Sequence, residues 1–233
     1  GCGLDLRKGP ACTRKRGARV AVLTAEMRLK AHAHRADYIG TAMRVAKEFG
    51  VRMTLEHCTE GHLIPEIVAR SGFPAAVGPT LTNASKIELV NKTFETPGVL
   101  ARAGVQVSII TDAPVIPQQY LPLCAGLAVK AGMDPFQALQ AITINPAKHL
   151  GIADRVGSLE VGKDGDVVIC GGDPMVSDTH VAAVCLNGRK VVGCSFCGST
   201  SMPTSRARAA SPPGWCPKSQ MSTSPPGRCS GTG

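Results

Sequence analysis

The sequence predicts an α/β fold in which strands and helices alternate through a parallel series, followed by a small antiparallel part. Three observations predict it. Short apolar runs at Leu29 to His32, Val51 to Glu56, Ala75 to Gly78 and Val105 to Ile110 are separated by stretches of helical periodicity. The spacing repeats: His32 to His57 is 25 residues, about one strand-loop-helix-loop unit, and His57 to Asp112 is 55, about two. From Gly151 the period changes from helix to strand, with turn signals at Lys163-Asp164-Gly165 and Asn187-Gly188.

Each element has a local reason. Order begins at Val20, where residues 21–27 fit either a helical turn or a strand edge. Leu29 to His32 is a short strand. Ile39, Ala42, Met43, Ala46 and Phe49 then fall on one helical stripe, and Gly50 follows as the stop. Val51 to Glu56 is the second strand. Leu63, Ile64, Ile67 and Val68 form the next stripe, closed by Gly72 and Pro74. After the strand at Ala75 to Gly78 comes a polar loop from Pro79 to Asn91, then a helix from about Pro97 to Ala103 stopped by Gly104. The fourth strand, Val105 to Ile110, is mostly apolar, as a strand covered on both faces should be. Helices follow over Leu121 to Lys130 and Pro135 to Ile142, the second capped by Asp134, and Asn145-Pro146 opens one more. Val156 to Val161, Gly165 to Cys170 and Val181 to Val192 read as short strands, the last a hairpin about Asn187-Gly188.

Charge and cysteine content exclude several function classes. The 233 residues carry a formal charge of +9, but from Val20 to Gly193 there are 16 basic and 16 acidic side chains. The excess lies in residues 1–19, with six basic groups against Asp5, and in residues 194–233, with four and no acid. A neutral body implies no nucleic-acid face. Cys58, Cys124, Cys170 and Cys185 sit in apolar contexts and read as reduced, buried residues. Cys194 and Cys197 form a CxxC without a second close pair, which does not make a zinc ribbon. No apolar run reaches the roughly 20 residues of a membrane span, and a cytoplasmic location is expected. Residues 1–19 read as a disordered or foreign leader, 20–150 as the α/β part, 151–192 as the antiparallel part, and 193–233 as a Ser/Pro/Gly-rich disordered tail.

Candidate chemistry gathers at strand ends. His32 and His57 each close an apolar run where a strand gives way to a loop, and Asp112 occupies the corresponding place after the fourth strand. Two imidazoles and a carboxylate at the carboxyl ends of parallel strands point to a metal hydrolase site. Single residues also have plainer readings. His62, His149 and His180 read as structural or surface groups, Glu56 can face a helix, and Glu60 reads first as an acid in the first turn of a helix, favoured by its dipole.

The motifs KAHAHRAD (30–37), TLEHCTEGH (54–62), TDAPVIP (111–117), TINPA (143–147) and GSLEVGKDGDVVI (157–169) resemble, in that order, the later half of an amidohydrolase-superfamily protein, its imidazolonepropionase-like members above all. The resemblance implies the last four βα units of an eight-stranded (β/α) TIM-type barrel, followed by part of a small β-sandwich. It implies a metal-dependent hydrolase that cleaves a C–N bond of a small cyclic or linear amide. By the same resemblance His32 and His57 are metal ligands, Asp112 is a metal ligand or neighbour and the catalytic base, and His34, Arg35 and Glu60 contact substrate. The metal is divalent, zinc first, with iron or manganese also compatible. The family's strand-one H-x-H pair has no counterpart before Arg28, and His32-Ala33-His34 cannot be that pair, because six further units do not fit into the 78 residues to Asp112. The chain therefore reads as half a barrel whose open edges allow a homo-oligomer. A catalytically incomplete remnant that binds a partner through those edges is the alternative.

Overall fold

The computed structural model describes residues 20–193. Residues 20–23 are helical, which decides the first ambiguous segment. The leader and residues 194–233 of the tail, with the Cys194/Cys197 pair, lie outside the described residues.

Four parallel strands follow: β1 (Leu29–Ala33), β2 (Met53–His57), β3 (Ala75–Val77) and β4 (Val107–Ile109), hydrogen-bonded in the order β1-β2-β3-β4. Between them run α1 (Ala36–Glu48), α2 (Pro65–Ser71) and α3 (Thr96–Arg102). After β4 come α4 (Leu121–Lys130), α5 (Pro135–Ala141) and α6 (Ile144–Leu150). A second sheet, of antiparallel strands β5 (Val167–Cys170), β6 (Val181–Leu186) and β7 (Arg189–Gly193), completes the described chain.

The local signals act as their chemistry requires. The α1 stripe buries Ile39, Met43 and Ala46, while Phe49 at its end is exposed. Gly72 closes α2 in the left-handed region at φ +74°. Asp134 caps α5 by accepting a 2.9 Å hydrogen bond from the Gln137 amide. Asn187 and Gly188 both have positive φ between β6 and β7, the requirement of a type I′ turn.

Register sorts the parallel sheet into two unlike faces. Ala33, Met53, Leu55, Ala75, Val77 and Val107 join Ile39, Met43, Val68 and Leu100 in one apolar core beneath α1, α2 and α3. On the other face, alternation brings Lys30, His32, Thr54, Glu56, Ala76 and Ser108 together. α6 closes part of that polar face. Glu56 Oε1 accepts from His149 Nε2 at 3.0 Å, from Thr54 Oγ1 at 2.7 Å and from Lys30 Nζ at 3.1 Å, so Glu56 does face a helix. Burial opposes the Glu56 charge, but the hydrogen bonds from His149, Thr54 and Lys30 outweigh it and hold the carboxyl down at about 2.

One expected strand is absent. Residues 156–161 are irregular, and Leu159 and Val161 are exposed. Gly157 instead lies against α6, so close that a β-carbon there would meet Ala147 Cβ at 2.8 Å and Thr143 O at 3.1 Å. The segment follows a helix, and among the described residues no strand pairs with it to complete a ladder.

Candidate metal centre

The carboxyl ends of β1 and β2 converge on three imidazoles. Because strand side chains alternate, His32 and His34 point to the same side of the chain as it leaves β1. At the carboxyl end of β2, His57 and Cys58 take positive φ values of +70° and +45°, which ends the extended backbone there. His32 Nε2 lies 3.1 Å from His34 Nε2, and His32 Nδ1 lies 3.1 Å from His57 Nε2. One ring nitrogen from each residue can be chosen so that all three lie within 4.8 Å of one another.

The neighbours decide which nitrogen is free. His57 Nδ1 is 2.7 Å from the carbonyl oxygen of Gly78, an acceptor only, so Nδ1 carries the proton and Nε2 presents its lone pair to the cluster. His34 Nδ1 is 2.8 Å from Thr59 Oγ1, a hydroxyl that can donate or accept. Without a cation one assignment satisfies every contact: Thr59 donates to His34, His34 to His32, His32 to His57 and His57 to Gly78 O. To hold a cation, His34 and His57 would each offer Nε2, and Thr59 Oγ1 would then accept from His34 Nδ1–H. Outer hydrogen bonds of this kind orient imidazole ligands on metals. The donor set therefore fits a divalent ion of intermediate softness, for which neutral imidazole is a favoured ligand.

Electrostatics disfavours a charge on His32 and His34. Burial and the neighbouring His57 and His32 oppose a charge on His34, and its pKa falls to about 4 although Glu88 pulls the other way. Burial and His57 also lower that of His32. Between about pH 6.5, the ordinary value, and about pH 4 the unfolded chain takes up a proton at residue 34 that the fold does not accept. Stability supplied by that site is thus present above pH 6.5 and declines as the pH falls towards 4. Urea unfolding at pH 7.5 and pH 4.5 should show a larger loss for the wild type than for His34→Gln. An equal loss in both would contradict this assignment.

The other sequence candidates lie around this group in different ways. Asp112, three residues beyond β4 and exposed, has φ +51° and lies outside the three-histidine group, though its charge reaches His32. Arg35 is exposed and turned to Asp37, with Nε 3.1 Å from Oδ1, and its guanidinium lies over the Tyr38 ring. Glu60 is buried, and both its oxygens accept bonds from protein groups. His62 bonds Thr96 Oγ1 at 2.9 Å, a structural role. His34, expected at the rim as a substrate contact, stands in the cluster itself. The signal for it is the H-x-H spacing, which places both rings on one side of an extended chain.

Glu88, not singled out by sequence, brings a carboxylate oxygen 3.7 Å from His34 Nε2. An open cavity of about 550 Å³ lies on the loop after β3, lined by Thr80, Thr82, Lys92 and Thr93 among others. Thr80, Lys92 and Thr93 also line the crevice against His57, so the cavity adjoins the cluster. Cys58 and Cys124 are buried free thiols, and burial pushes Cys58 up to about 12, which leaves it unreactive. No helix among the described residues is long and apolar enough to cross a membrane.

Comparison with known proteins gives a consistent result. The sequence profile of the Amidohydrolase family matches residues 4–195. An imidazolonepropionase of Desulfotalea psychrophila is 32% identical over 174 residues, covering 70% of this chain and 40% of that protein. Amidohydrolase tasK of Hapsidospora irregularis is 28% identical over 159 residues, 66% of this chain and 16% of that one. Among solved structures, an amidohydrolase from Thermotoga maritima superposes with a TM-score of 0.76 at 37% identity, covering 80% of this chain and 49% of that chain. The chain thus spans at most 40% of these two relatives and about half of that structure.

Proposed function

Because the chain belongs to the amidohydrolase family, we propose that it carries part of a metal-dependent site that hydrolyses a C–N bond in a small amide, cyclic or linear. Its four parallel strands correspond in this reading to the fifth to eighth of a (β/α)8 barrel. The observation that carries the proposal is the three-histidine cluster at the carboxyl ends of β1 and β2, with two of its outward nitrogens held by Gly78 O and Thr59 Oγ1. His32, His34 and His57 would hold the ion, with zinc first. Such an ion supplies a water of pKa about 7, a nucleophile at neutral pH.

The remaining work falls to this chain's own side chains. Asp112 stands at the carboxyl end of β4, exposed and free to accept a proton at its carboxylate and return it to the leaving nitrogen. The cavity beside His57 receives the substrate, where Thr80, Thr82 and Thr93 offer hydroxyls and Lys92 a cation. An imidazolonepropionase among the relatives favours a small cyclic amide as substrate.

Metal per chain, measured by mass spectrometry on the purified, dialysed protein, tests the proposal. About one ion per wild-type chain and none in a His32→Ala/His57→Ala variant is the expected result. No ion in either protein would refute a metal site in this chain. It would favour the second reading, a binding role through the β1 edge, where Leu29 and His32 are exposed.

A further inference from the structure

We infer that Glu60 is a positioning residue: a buried carboxylate that caps α1 across the sheet, ties three loops together and thereby fixes His34 in the cluster. The inference rests on the metal-site reading for its consequence, though not for its geometry.

The N-terminus of α1 lacks a cap of its own. Arg35 occupies the cap position, and its side chain makes no capping bond. The orphan amide of Ala36, the first residue of the helix, donates instead to Glu60 Oε2 at 2.8 Å. A carboxylate at this end also meets the positive pole of the helix dipole. Glu60 gives nothing comparable to its own segment, since it precedes the 3₁₀ turn Gly61–Leu63 without a side-chain cap.

The same residue is bonded on two other sides. Its backbone amide donates to His34 O at 2.8 Å, and Oε1 accepts from Asn91 Nδ2 at 2.9 Å. Around it, Cys58 N donates to Ala33 O at 3.0 Å, and Thr59 Oγ1 meets His34 Nδ1 at 2.8 Å. Residues 58–60 therefore grip residues 33–36 at four points. Asn91 extends the grip to the loop after β3, whose Glu88 stands 3.7 Å from His34 Nε2. A closed ring results, running from His34 through Ala36, Glu60, Asn91 and Glu88 back to His34. A buried carboxylate is costly unless its oxygens are satisfied, and here both are used to hold loops.

Glu60→Ala and Glu60→Gln test this. Glutamine keeps an oxygen for Ala36 N–H, and its amide can meet Asn91 once that side chain turns over, so it should behave close to the wild type. In Glu60→Ala, amide hydrogen exchange of the metal-free chain should quicken in 34–38 and in 79–92 together. Zn(II) affinity by chelator competition should fall about 10- to 100-fold, and the visible spectrum of the Co(II) form should change. Unchanged exchange in either segment would overturn the brace. Faster exchange in both with the same Zn(II) affinity and Co(II) spectrum would overturn the positioning role. A wild type that binds neither ion would defeat the metal-site reading, and exchange would still decide whether the brace exists. Should Glu60→Ala fail to fold, Asn91→Leu carries the test: exchange should quicken in 79–92 and not in 34–38, and the opposite pattern overturns the ring.

Discussion

Gly78→Ala should cost this protein both stability and its histidine cluster. Gly78 has φ +144°, in a region that L side chains rarely adopt, and a β-carbon there would collide with the carbonyl oxygen of Ile110. That oxygen belongs to the backbone and cannot swing aside. Strain of about 1–3 kcal/mol and overpacking of similar size together give a loss of roughly 2–6 kcal/mol in denaturant unfolding. The chain can relieve the collision only by moving Gly78, whose own carbonyl holds His57 Nδ1 at 2.7 Å. Metal affinity should therefore fall with stability. Gly40→Ala is the contrast: it lies within α1 with nothing near its missing β-carbon, and alanine there should stabilise by about 0.5–1 kcal/mol. Equal stability of the two variants would show that the close approach at Gly78 has no energetic consequence.

The second large effect separates His34 from Asp112. If three imidazoles hold the ion, each supplies a substantial part of a binding free energy that runs to about 10–16 kcal/mol in structural zinc sites. His34→Ala should then lower metal affinity on the order of a hundredfold or more, because it removes a ligand and leaves Thr59 Oγ1 without its partner. Asp112→Asn keeps shape and removes charge from a group outside the cluster. Its effect on affinity should be far smaller, with the loss appearing in turnover wherever a complete barrel supplies activity. Competition titrations of both variants against the wild type would decide the matter. Loss of affinity in Asp112→Asn alone would make the aspartate the third ligand and His34 a neighbour.

Much of the fold is legible because its signals are local. The α1 stripe of Ile39, Met43 and Ala46, the glycine stop at Gly72, the Asp134 cap and the Asn187-Gly188 turn each depend on residues within a few positions of one another. The strand-end placement of His32 and His57 is equally readable, since an apolar run and its end lie together in the chain. The stretch 156–161 misleads for the converse reason. Its alternation is that of a strand, but a strand needs a partner, and Gly157 packs on α6 instead.

What the sequence by itself determined is the order of strand and helix, the family and the two histidines at strand ends. Only the tertiary structure decided that His34 joins them while Asp112 stands outside the group, and that Glu60 is used up between Ala36 and Asn91. It also decided that the Gly78 carbonyl, 21 residues beyond His57, fixes that imidazole. The physical reason is range. Caps, stripes and turns are chosen by φ/ψ and side-chain chemistry within one or two turns of chain. Which groups meet across the ends of parallel strands depends on register and on how closely backbones approach, and no local pattern specifies either.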